Sequence, residues 1–344
     1  MLGSLVAFAA LSASPNRMIG FTDLTAWEQH SEGSRTILTR EVDPGMEWDE
    51  MVPSWNAITP GTASLSVEVQ PIYGTRTGKF YSFGVWRQDP SQGPRESKTG
   101  QRDADGDVLT DTLQLGAPAA KALVRLTLDG AVNLKLIACS FTNTKALTPP
   151  AEPNKSAWGS IIEVPERAQM SFPNGSKICS PTAVSMILGF WSNNLGMPEM
   201  DPEVPAVCDA VMDPQWPGTG NWPFNTAYAG SFDGMVAYVA RLTTARQLED
   251  WIEAGIPVAT SVAYDILRYG ERRRPTDGHL LVLVGFSKEG DPIFNDPAVS
   301  EQIRQTYTRA LFVKAWAESH NTVYLIYPRS RKTPVDQLMN WITL

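Results

Sequence analysis

The chain has 344 residues and a formal net charge of -8, and this length predicts two domains of ordinary size. Hydrophobic residues make up 42% and charged residues 19% of the chain, which is typical of folded proteins and excludes a disordered one. The acidic balance argues against a nucleic-acid partner, because phosphate binding needs a concentrated basic surface. The basic cluster Arg272 to Arg274 is short and is interpreted as a solvated loop tip.

The chain begins with an apolar segment, Leu2 to Ala13, that ends in small residues. A signal peptide has such a region before its cleavage site, but no Lys or Arg precedes this one. We interpret residues 1–15 as an atypical signal peptide or as a first strand. Secretion or attachment to the cell envelope is favoured, and a cytoplasmic location stays open. Elsewhere no stretch reaches the roughly 18 apolar residues of a membrane span, so we expect a soluble protein.

Apolar and polar residues alternate with period two through much of the first half, from about Thr36 to Asn143. Such alternation is typical of strands with one buried face. Turns rich in Gly, Pro and Asp separate the segments at the spacing of a β-sandwich. The predicted strands include 65–69, 80–86, 108–115, 122–128 and 134–141. Residues 16–146 are therefore predicted to form a β-sandwich-like domain.

Three acidic residues in this half, Asp103, Asp105 and Asp107, have the spacing of the first ligands of a calcium loop. An EF-hand loop would also need Gly and an acidic ligand at the positions of Val108 and Gln114. A polar hairpin turn is therefore the favoured interpretation. We expect neither a metal nor another cofactor.

A proline-rich segment over residues 147–157 is interpreted as an interdomain linker. After it, residues 158–344 mix helical and strand patterns, which predicts an α+β domain. The predicted elements are a helix after Cys179, a helix over 245–254, and buried strands over 256–262, 280–284 and from 292.

The three cysteines, Cys139, Cys179 and Cys208, form an odd count without a CxxC pair. Neither a disulfide framework nor a cysteine zinc site is indicated, although one bridge between Cys139 and Cys208 stays open. The helix after Cys179 has an apolar face formed by Val184, Ile187, Leu188 and Trp191. A helix N-terminus favours the nucleophilic thiolate. Cys179 is therefore the candidate nucleophile, with a buried structural thiol as the alternative.

His279 is the histidine best placed to act as a base. It begins an apolar strand, and a turn over 287–290 returns the chain past it near Asp296. Neighbouring strands lie about 4.8 Å apart, so the carboxylate of Asp296 can reach the imidazole and fix its tautomer. His30 and His320 are interpreted as ordinary polar surface residues.

Several motifs in the second half together resemble the bacterial C39-like peptidases, which are papain-like cysteine peptidases. The motifs are Val164 to Met170, Cys179-Ser180-Pro181-Thr182, Gly220 to Asn225, Asp277-Gly278-His279-Leu280 and Asn295-Asp296-Pro297. The resemblance covers about 158–328 and implies a papain-like α+β fold that acts on peptide or protein substrates. It also implies that Cys179, His279 and Asp296 form a catalytic triad.

The resemblance further assigns Gln169. In C39 and papain-like enzymes a Gln upstream of the nucleophile donates its amide to the oxyanion of the tetrahedral intermediate. Gln169 lies ten residues before Cys179, a longer spacing than in the bacteriocin-processing members, and a surface polar residue is the alternative. The sequence shows neither the membrane spans nor the phosphate loop of transporters that carry C39 domains, so an ATP-driven exporter is not expected.

Residues around the Gly220 motif are candidates for a substrate cleft, because aromatic rings bind extended peptides or sugars. These candidates are Trp222, Phe224, Asn225 and Tyr228. Core packing is an equally favoured interpretation of them. The leading functional hypothesis is peptide-bond hydrolysis by a cysteine peptidase. A transglutaminase-like acyl transferase and a non-catalytic binding module that retains the triad are the alternatives.

Overall fold

The computed structural model describes residues 14–343. The leader predicted over 1–15 therefore lies outside the described residues, apart from its last two. The secondary structure is mostly strand: the first half has strands and no α-helix in its described part, and the second half has both. Between residues 14 and 343, no helix combines the length and the apolar character that crossing a membrane requires.

The strands of the first half form two antiparallel sheets. The strands are β1 (Asn16–Phe21), β2 (Glu28–Glu32), β3 (Arg35–Val42), β4 (Trp48–Ile58), β5 (Ser64–Tyr73), β6 (Arg76–Thr77), β7 (Tyr81–Trp86), β8 (Gly106–Leu109), β9 (Thr112–Ala119), β10 (Lys121–Asp129) and β11 (Asn133–Thr142). The sheet orders are β1-β11-β4-β9-β8 and β2-β3-β10-β5-β6, with β7 also paired to β5. The predicted alternation is present in β5, where Leu65, Val67 and Val69 are buried between more exposed neighbours.

The single strand predicted over 108–115 is instead a hairpin. β8 ends and β9 begins within this range, and Thr110 and Asp111 form a two-residue turn between them. The prediction was wrong because Thr-Asp is not a usual turn pair. Thr110 has a φ of 60°, a conformation for which hairpin loops favour Gly, Asn or Asp.

The Asp-rich segment before β8 forms a polar turn. Asp103 Oδ1 accepts hydrogen bonds from the backbone N–H groups of Asp105 and Gly106, both at 3.0 Å. Asp103 also pairs with Lys79 at 3.1 Å, and Asp105 pairs with Arg76 at 2.7 Å. These two carboxylates therefore stabilise the turn and bind neighbouring cations.

The second half combines helices with a third antiparallel sheet. Its elements are α1 (Cys179–Leu195), α2 (Val204–Val211), α3 (Trp222–Ala229), β12 (Met235–Arg241), α4 (Ala245–Glu253), β13 (Val258–Ala263), α5 (Tyr264–Tyr269), β14 (Gly278–Phe286), β15 (Pro292–Asn295), β16 (Arg304–Thr306), α6 (Arg309–Ala317) and β17 (Thr322–Pro328). The strand order is β12-β17-β13-β14-β15-β16. The predicted helices correspond to α1 and α4, and the predicted buried strands to β13, β14 and β15.

The proline-rich segment 147–157 contains a 3-10 turn at Lys155–Ala157 and neither a strand nor an α-helix. The backbone N–H of Asn154 donates to Glu249 Oε2 on α4 at 2.6 Å. The indole N–H of Trp158, directly after the segment, donates to Glu249 Oε1 at 2.8 Å. The segment therefore packs along α4 as it joins the two halves.

Helix α1 lies in the interior of the second half. All residues from Ser180 to Ser192 are buried, although the sequence predicted a single apolar face. The prediction was too narrow because α1 contacts β14 of the sheet as well as α2 and α3. α1 is therefore buried on all sides, and its first residue, Cys179, is held by the packing of the whole helix.

The first half covers the edge strand β12 of the third sheet. Asn56 on β4 donates from Nδ2 to the carbonyl oxygen of Ala237 at 2.7 Å and accepts from its N–H at 3.1 Å. Ser54 Oγ accepts from the N–H of Val239 at 2.8 Å. These side chains satisfy backbone groups that an edge strand otherwise leaves open. The two halves therefore share one buried interface.

The three cysteines are free thiols. Cys139 lies on β11 in the first half, and Cys208 lies on α2 in the second half. The bridge between these two residues that the sequence left open is therefore not formed.

Candidate active site

Cys179 is the first residue of α1. Ile178 precedes the helix as its N-cap, and the first turn contains no acidic residue, so no carboxylate opposes a negative charge on the sulfur. Cys179 is partly exposed as a residue, and the backbone N–H groups of Ser180 and Leu280 interact with its sulfur. The sulfur therefore lies where α1 begins beside β14.

His279 and Asp296 belong to the β14–β15 hairpin. His279 pairs with Val262 in the sheet, and Asp296 directly follows β15. His279 Nε2 is 2.8 Å from Asp296 Oδ1, and both side chains are buried. Because the carboxylate accepts from Nε2–H, Nδ1 is the ring nitrogen that can face Cys179.

Two tyrosines that the sequence analysis missed also bind Asp296. The hydroxyls of Tyr307 and Tyr264 donate to Oδ2 at 2.6 Å and 2.9 Å, and the N–H of Ala298 donates to Oδ1 at 3.0 Å. Burial raises the pKa of Asp296, but His279 and these donors outweigh burial and lower it to about 2. The carboxylate is therefore ionised and fixed in orientation.

Tyr264 also covers the imidazole. Its ring centroid is 4.3 Å from that of His279, and Arg268 Nη1 donates to its hydroxyl at 3.0 Å. The register offers a signal for this residue: His279 pairs with Val262, and Tyr264, two residues further on, is the diagonal neighbour of His279 on the same face. Tyr264 shields the His279 ring from water on one face.

The thiol and the imidazole alter each other's pKa. Burial raises the pKa of Cys179, but His279 and the N–H groups of Leu280 and Ser180 outweigh burial and hold the pKa below its ordinary value. Burial lowers the pKa of His279, but Asp296 and the sulfur outweigh burial and raise it to about 9. Both shifts favour a thiolate–imidazolium pair.

The other cysteines have the opposite surroundings. Burial raises the pKa of Cys139 to about 12. Burial and then Asp209 raise the pKa of Cys208 to about 11. Both are therefore neutral thiols at neutral pH, in contrast to Cys179.

Gln169 is an interior residue, so its interpretation as a surface polar residue is wrong. It is 4% exposed, and its backbone N–H donates to the carbonyl oxygen of Pro297, next to Asp296, at 2.8 Å. The long spacing to Cys179 is folded into two 3-10 turns, Gln169–Ser171 and Gly175–Lys177. A Cβ on Gly175 would lie 2.6 Å from the carbonyl oxygen of Gln169, so glycine permits this close return of the chain.

Two of the four predicted cleft residues are interior residues. Phe224 is fully buried, and its ring centroid lies 6.2 Å and 5.5 Å from those of Trp55 and Trp86 of the first half. Asn225 is also fully buried, and its Nδ2 donates to the carbonyl oxygens of residues 219 and 221 at 2.8 Å. The cleft prediction for this pair is therefore corrected: Phe224 packs between the two halves, and Asn225 stabilises a loop by hydrogen bonds. Trp222 and Tyr228 are partly exposed.

The predicted basic loop tip lies on the way into β14. Arg272 Nη1 is 2.8 Å from Asp277 Oδ1, and Arg274 Nη2 is 2.6 Å from Asp265 Oδ1. Both carboxylates are almost completely buried. The three arginines are exposed, as predicted for a solvated loop tip, and two of them also pair with buried carboxylates next to the strand of His279.

The remaining histidines have separate environments. His30 is exposed on β2, as predicted. His320 was also interpreted as a plain surface residue, but its Nδ1 is 3.2 Å from Oε2 of the buried Glu50, which also pairs with Arg241 at 2.6 Å. Burial raises the pKa of Glu50, but His320 and Arg241 outweigh burial and lower it to about 2. This cluster joins the two halves.

A cysteine at a helix start, near a buried imidazole that a carboxylate orients, is the arrangement of proteins with a cysteine nucleophile. Residues 161–324 match the model of the Peptidase C39 like family. Residues 14–135 match the model of the Peptidase C39 N-terminal domain. The second half is therefore similar to the C39-like peptidases, and the first half is similar to the N-terminal domain of C39 peptidases.

One solved structure similar to the chain is a candidate C39-like peptidase from Bacillus anthracis, with 16% sequence identity and a TM-score of 0.39. The match covers 49% of this chain and 98% of the other. A likeness this low carries no weight for function. A search of curated proteins gave no significant match.

Proposed function

We propose that the protein is a papain-like cysteine peptidase that hydrolyses peptide bonds in peptide or protein substrates. One observation carries the proposal: His279, whose Nε2 is 2.8 Å from Asp296 Oδ1, lowers the pKa of the Cys179 thiol at the start of α1. The match of residues 161–324 to the Peptidase C39 like family supports the same reaction class. Cys179 is the nucleophile, His279 the general acid and base, and Asp296 the group that orients His279.

In the first half-reaction, the Cys179 thiolate adds to the carbonyl carbon of the substrate and forms a C–S bond. The carbonyl π electrons move to oxygen and produce a tetrahedral oxyanion. The C–N bond then breaks as the His279 imidazolium gives its proton to the leaving nitrogen. The products are a free amine and a thioester on Cys179.

In the second half-reaction, neutral His279 takes a proton from water, and the resulting hydroxide attacks the thioester carbonyl. The C–S bond breaks and releases a carboxylic acid, which restores the thiolate and the imidazolium. Water and the peptide bond are the only reactants consumed.

Gln169 is the proposed donor to the oxyanion in both half-reactions. Its side-chain Oε1 is buried and has no hydrogen-bond partner among the described residues. The atom that would donate to the oxyanion is Nε2, and the backbone of Gln169 is fixed next to Asp296 through Pro297. A donor already held in place stabilises developing charge without reorganising during the reaction.

The test is a peptide-library cleavage profile of the wild type and Cys179→Ala. We expect defined cleavage products from the wild type and none from Cys179→Ala, because the nucleophilic sulfur is lost. Cys208→Ala is the matched control and should cleave like the wild type. Full activity of Cys179→Ala, or equal loss in Cys208→Ala, would reject the proposal.

The same assay separates hydrolysis from acyl transfer. With an added primary amine, a hydrolase releases the carboxylic acid, whereas an acyl transferase joins the amine to the acyl group. We expect the carboxylic acid as the main product. A dominant amide product would assign the protein to the acyl transferases instead.

A further inference from the structure

The loop formed by residues 212–221, here the 212–221 loop, contacts the chain just before the nucleophile. Thr219 Oγ1 donates to the carbonyl oxygen of Lys177 at 3.0 Å, two residues before Cys179. Inside the loop, Asn221 Nδ2 donates to Asp213 Oδ2 at 2.9 Å. The shape of the loop is therefore linked directly to the segment that leads into α1.

The N-terminal domain holds the beginning of this loop. Arg95 is 2% exposed, and its guanidinium donates to the carbonyl oxygens of Asp209 and Met212, the latter at 3.3 Å. The backbone N–H of Ser97 donates to Asp213 Oδ1 at 3.1 Å. Residues 95–97 are anchored in turn to β7, because Val85 and Glu96 exchange both backbone hydrogen bonds. The domain thus binds both backbone and side chain at the start of the loop.

The β8–β9 hairpin of the same domain holds the end of the loop. Asp111 Oδ2 accepts from the backbone N–H of Trp222, the first residue of α3, at 2.8 Å. Thr110 precedes it with a φ of 60°, a conformation that a β-branched residue adopts only under strain. A strained turn persists where its surroundings determine it, and here it directs Asp111 into the second half.

Asp111 can accept this hydrogen bond in either charge state. Burial raises its pKa to about 7, and the N–H of Trp222, the hydroxyl of Thr112 and Arg241 oppose that rise. Both the ionised and the neutral carboxyl have an acceptor oxygen. Asn at this position keeps the acceptor, whereas Ala removes it, so the two variants separate the hydrogen bond from the charge.

We propose that the N-terminal domain is a positioning element of the active site, which fixes the 212–221 loop against the residues before Cys179 through Arg95, Ser97 and Asp111. The inference gives a role to a domain whose function the family assignment leaves open. It rests on the proposed function for its activity readout alone. The structural readout is independent of catalysis.

The experiment compares hydrogen exchange in the full-length wild type, Asp111→Ala and Asp111→Asn, together with the rate of Cys179 alkylation by iodoacetamide. Arg125→Ala is the control, because Arg125 pairs with Glu68 at 2.7 Å within the first half. In Asp111→Ala we expect amides over 212–229 to exchange at least about tenfold faster, since a bond to a partly charged acceptor is lost. Alkylation should change severalfold in the same variant, and Asp111→Asn should restore both values.

Unchanged exchange over 212–229 or unchanged alkylation of Cys179 in Asp111→Ala, or the same changes in Arg125→Ala, overturns the inference. If Asp111→Ala does not fold, Arg95→Met removes the donors at the other end of the loop and is judged by the same criteria. If the wild type cleaves no peptide, the proposed function fails. The exchange comparison still decides whether the domain positions the loop.

Discussion

The two sides of the candidate site are built in different ways. On one side, His279 and Asp296 are 17 residues apart in sequence and lie on one hairpin of the second half. On the other side, the segment before Cys179 is bound by the 212–221 loop, and the N-terminal domain holds that loop through contacts such as Asp111 with Trp222, which are 111 residues apart. The histidine side is local in sequence, and the cysteine side depends on both halves.

The largest expected effect is on the histidine side. Asp296→Asn should lower kcat/KM by about 10⁴-fold, because an amide can hold the imidazole in the wrong tautomer and does not stabilise the imidazolium. Peptide cleavage measures the loss. Asp129→Asn, on an exposed pair with Arg35, is the control and should be neutral. A loss below tenfold in Asp296→Asn would leave Asp296 without the orienting role.

The next largest effect is expected on the stability of the contact between the two halves. Phe224→Ala removes a fully buried ring between Trp55 and Trp86 and should lower the free energy of unfolding by about 3–5 kcal/mol. Urea unfolding measures the change. Phe232→Ala, at a partly buried ring beside Tyr228, should cost less. Equal values for the two variants would argue that the halves do not depend on this contact.

The oxyanion assignment predicts a smaller effect that is confined to turnover. Gln169→Ala should lower kcat by about 10²–10³-fold, because one donor to the oxyanion is removed, with KM little changed. Gln101→Ala is the matched control, since Gln101 bonds to Ser82 in the first half. An unchanged kcat in Gln169→Ala would remove this residue from the mechanism.

The tyrosine contacts of Asp296 predict the smallest effect. Tyr307→Phe should lower kcat/KM by about tenfold, because one hydrogen bond to a charged carboxylate is lost while that from Tyr264 remains. The kinetics of Tyr73→Phe provide the control, since the Tyr73 hydroxyl has no partner in the described part of the chain. If both variants cleave like the wild type, His279 and Asp296 hold their geometry without Tyr307.

The elements of the histidine side could be predicted because each follows from local pattern. The apolar run after His279, the turn over 287–290 and the returning strand place residue 296 near residue 279 by strand geometry alone. Tyr307 was missed because β16 and the following segment return to Asp296 from outside that hairpin. The prediction considered only the two strands of the hairpin, so it could not include Tyr307, which follows a third strand.

The cysteine side could be predicted only in part, for physical reasons. The helix start at Cys179 follows from its own apolar spacing and from Pro181. The Thr110–Asp111 turn was missed because its residues break the usual turn preference, and its strained geometry depends on the distant Trp222. Phe224 was assigned to a cleft because an aromatic residue beside a motif has the same pattern whether it binds a ligand or packs between domains.

The most direct test of the central claim is the pH dependence of iodoacetamide alkylation at each cysteine, followed by mass spectrometry. The lowered pKa of Cys179 keeps its thiolate present below the ordinary thiol range, and it is lost only as the pH falls through the lowered value. The raised pKa of His279 keeps the imidazolium present until the pH rises through about 9.

We therefore expect rapid alkylation of Cys179 from about pH 6 upward, where an ordinary thiol is almost fully protonated. Cys139 and Cys208 should stay slow until the pH approaches their raised pKa values, about 12 and 11. In His279→Ala the fast reaction of Cys179 near pH 6 should disappear. Equal alkylation of the three cysteines in the native protein, or a Cys179 rate that rises only near pH 9, would contradict the thiolate–imidazolium pair.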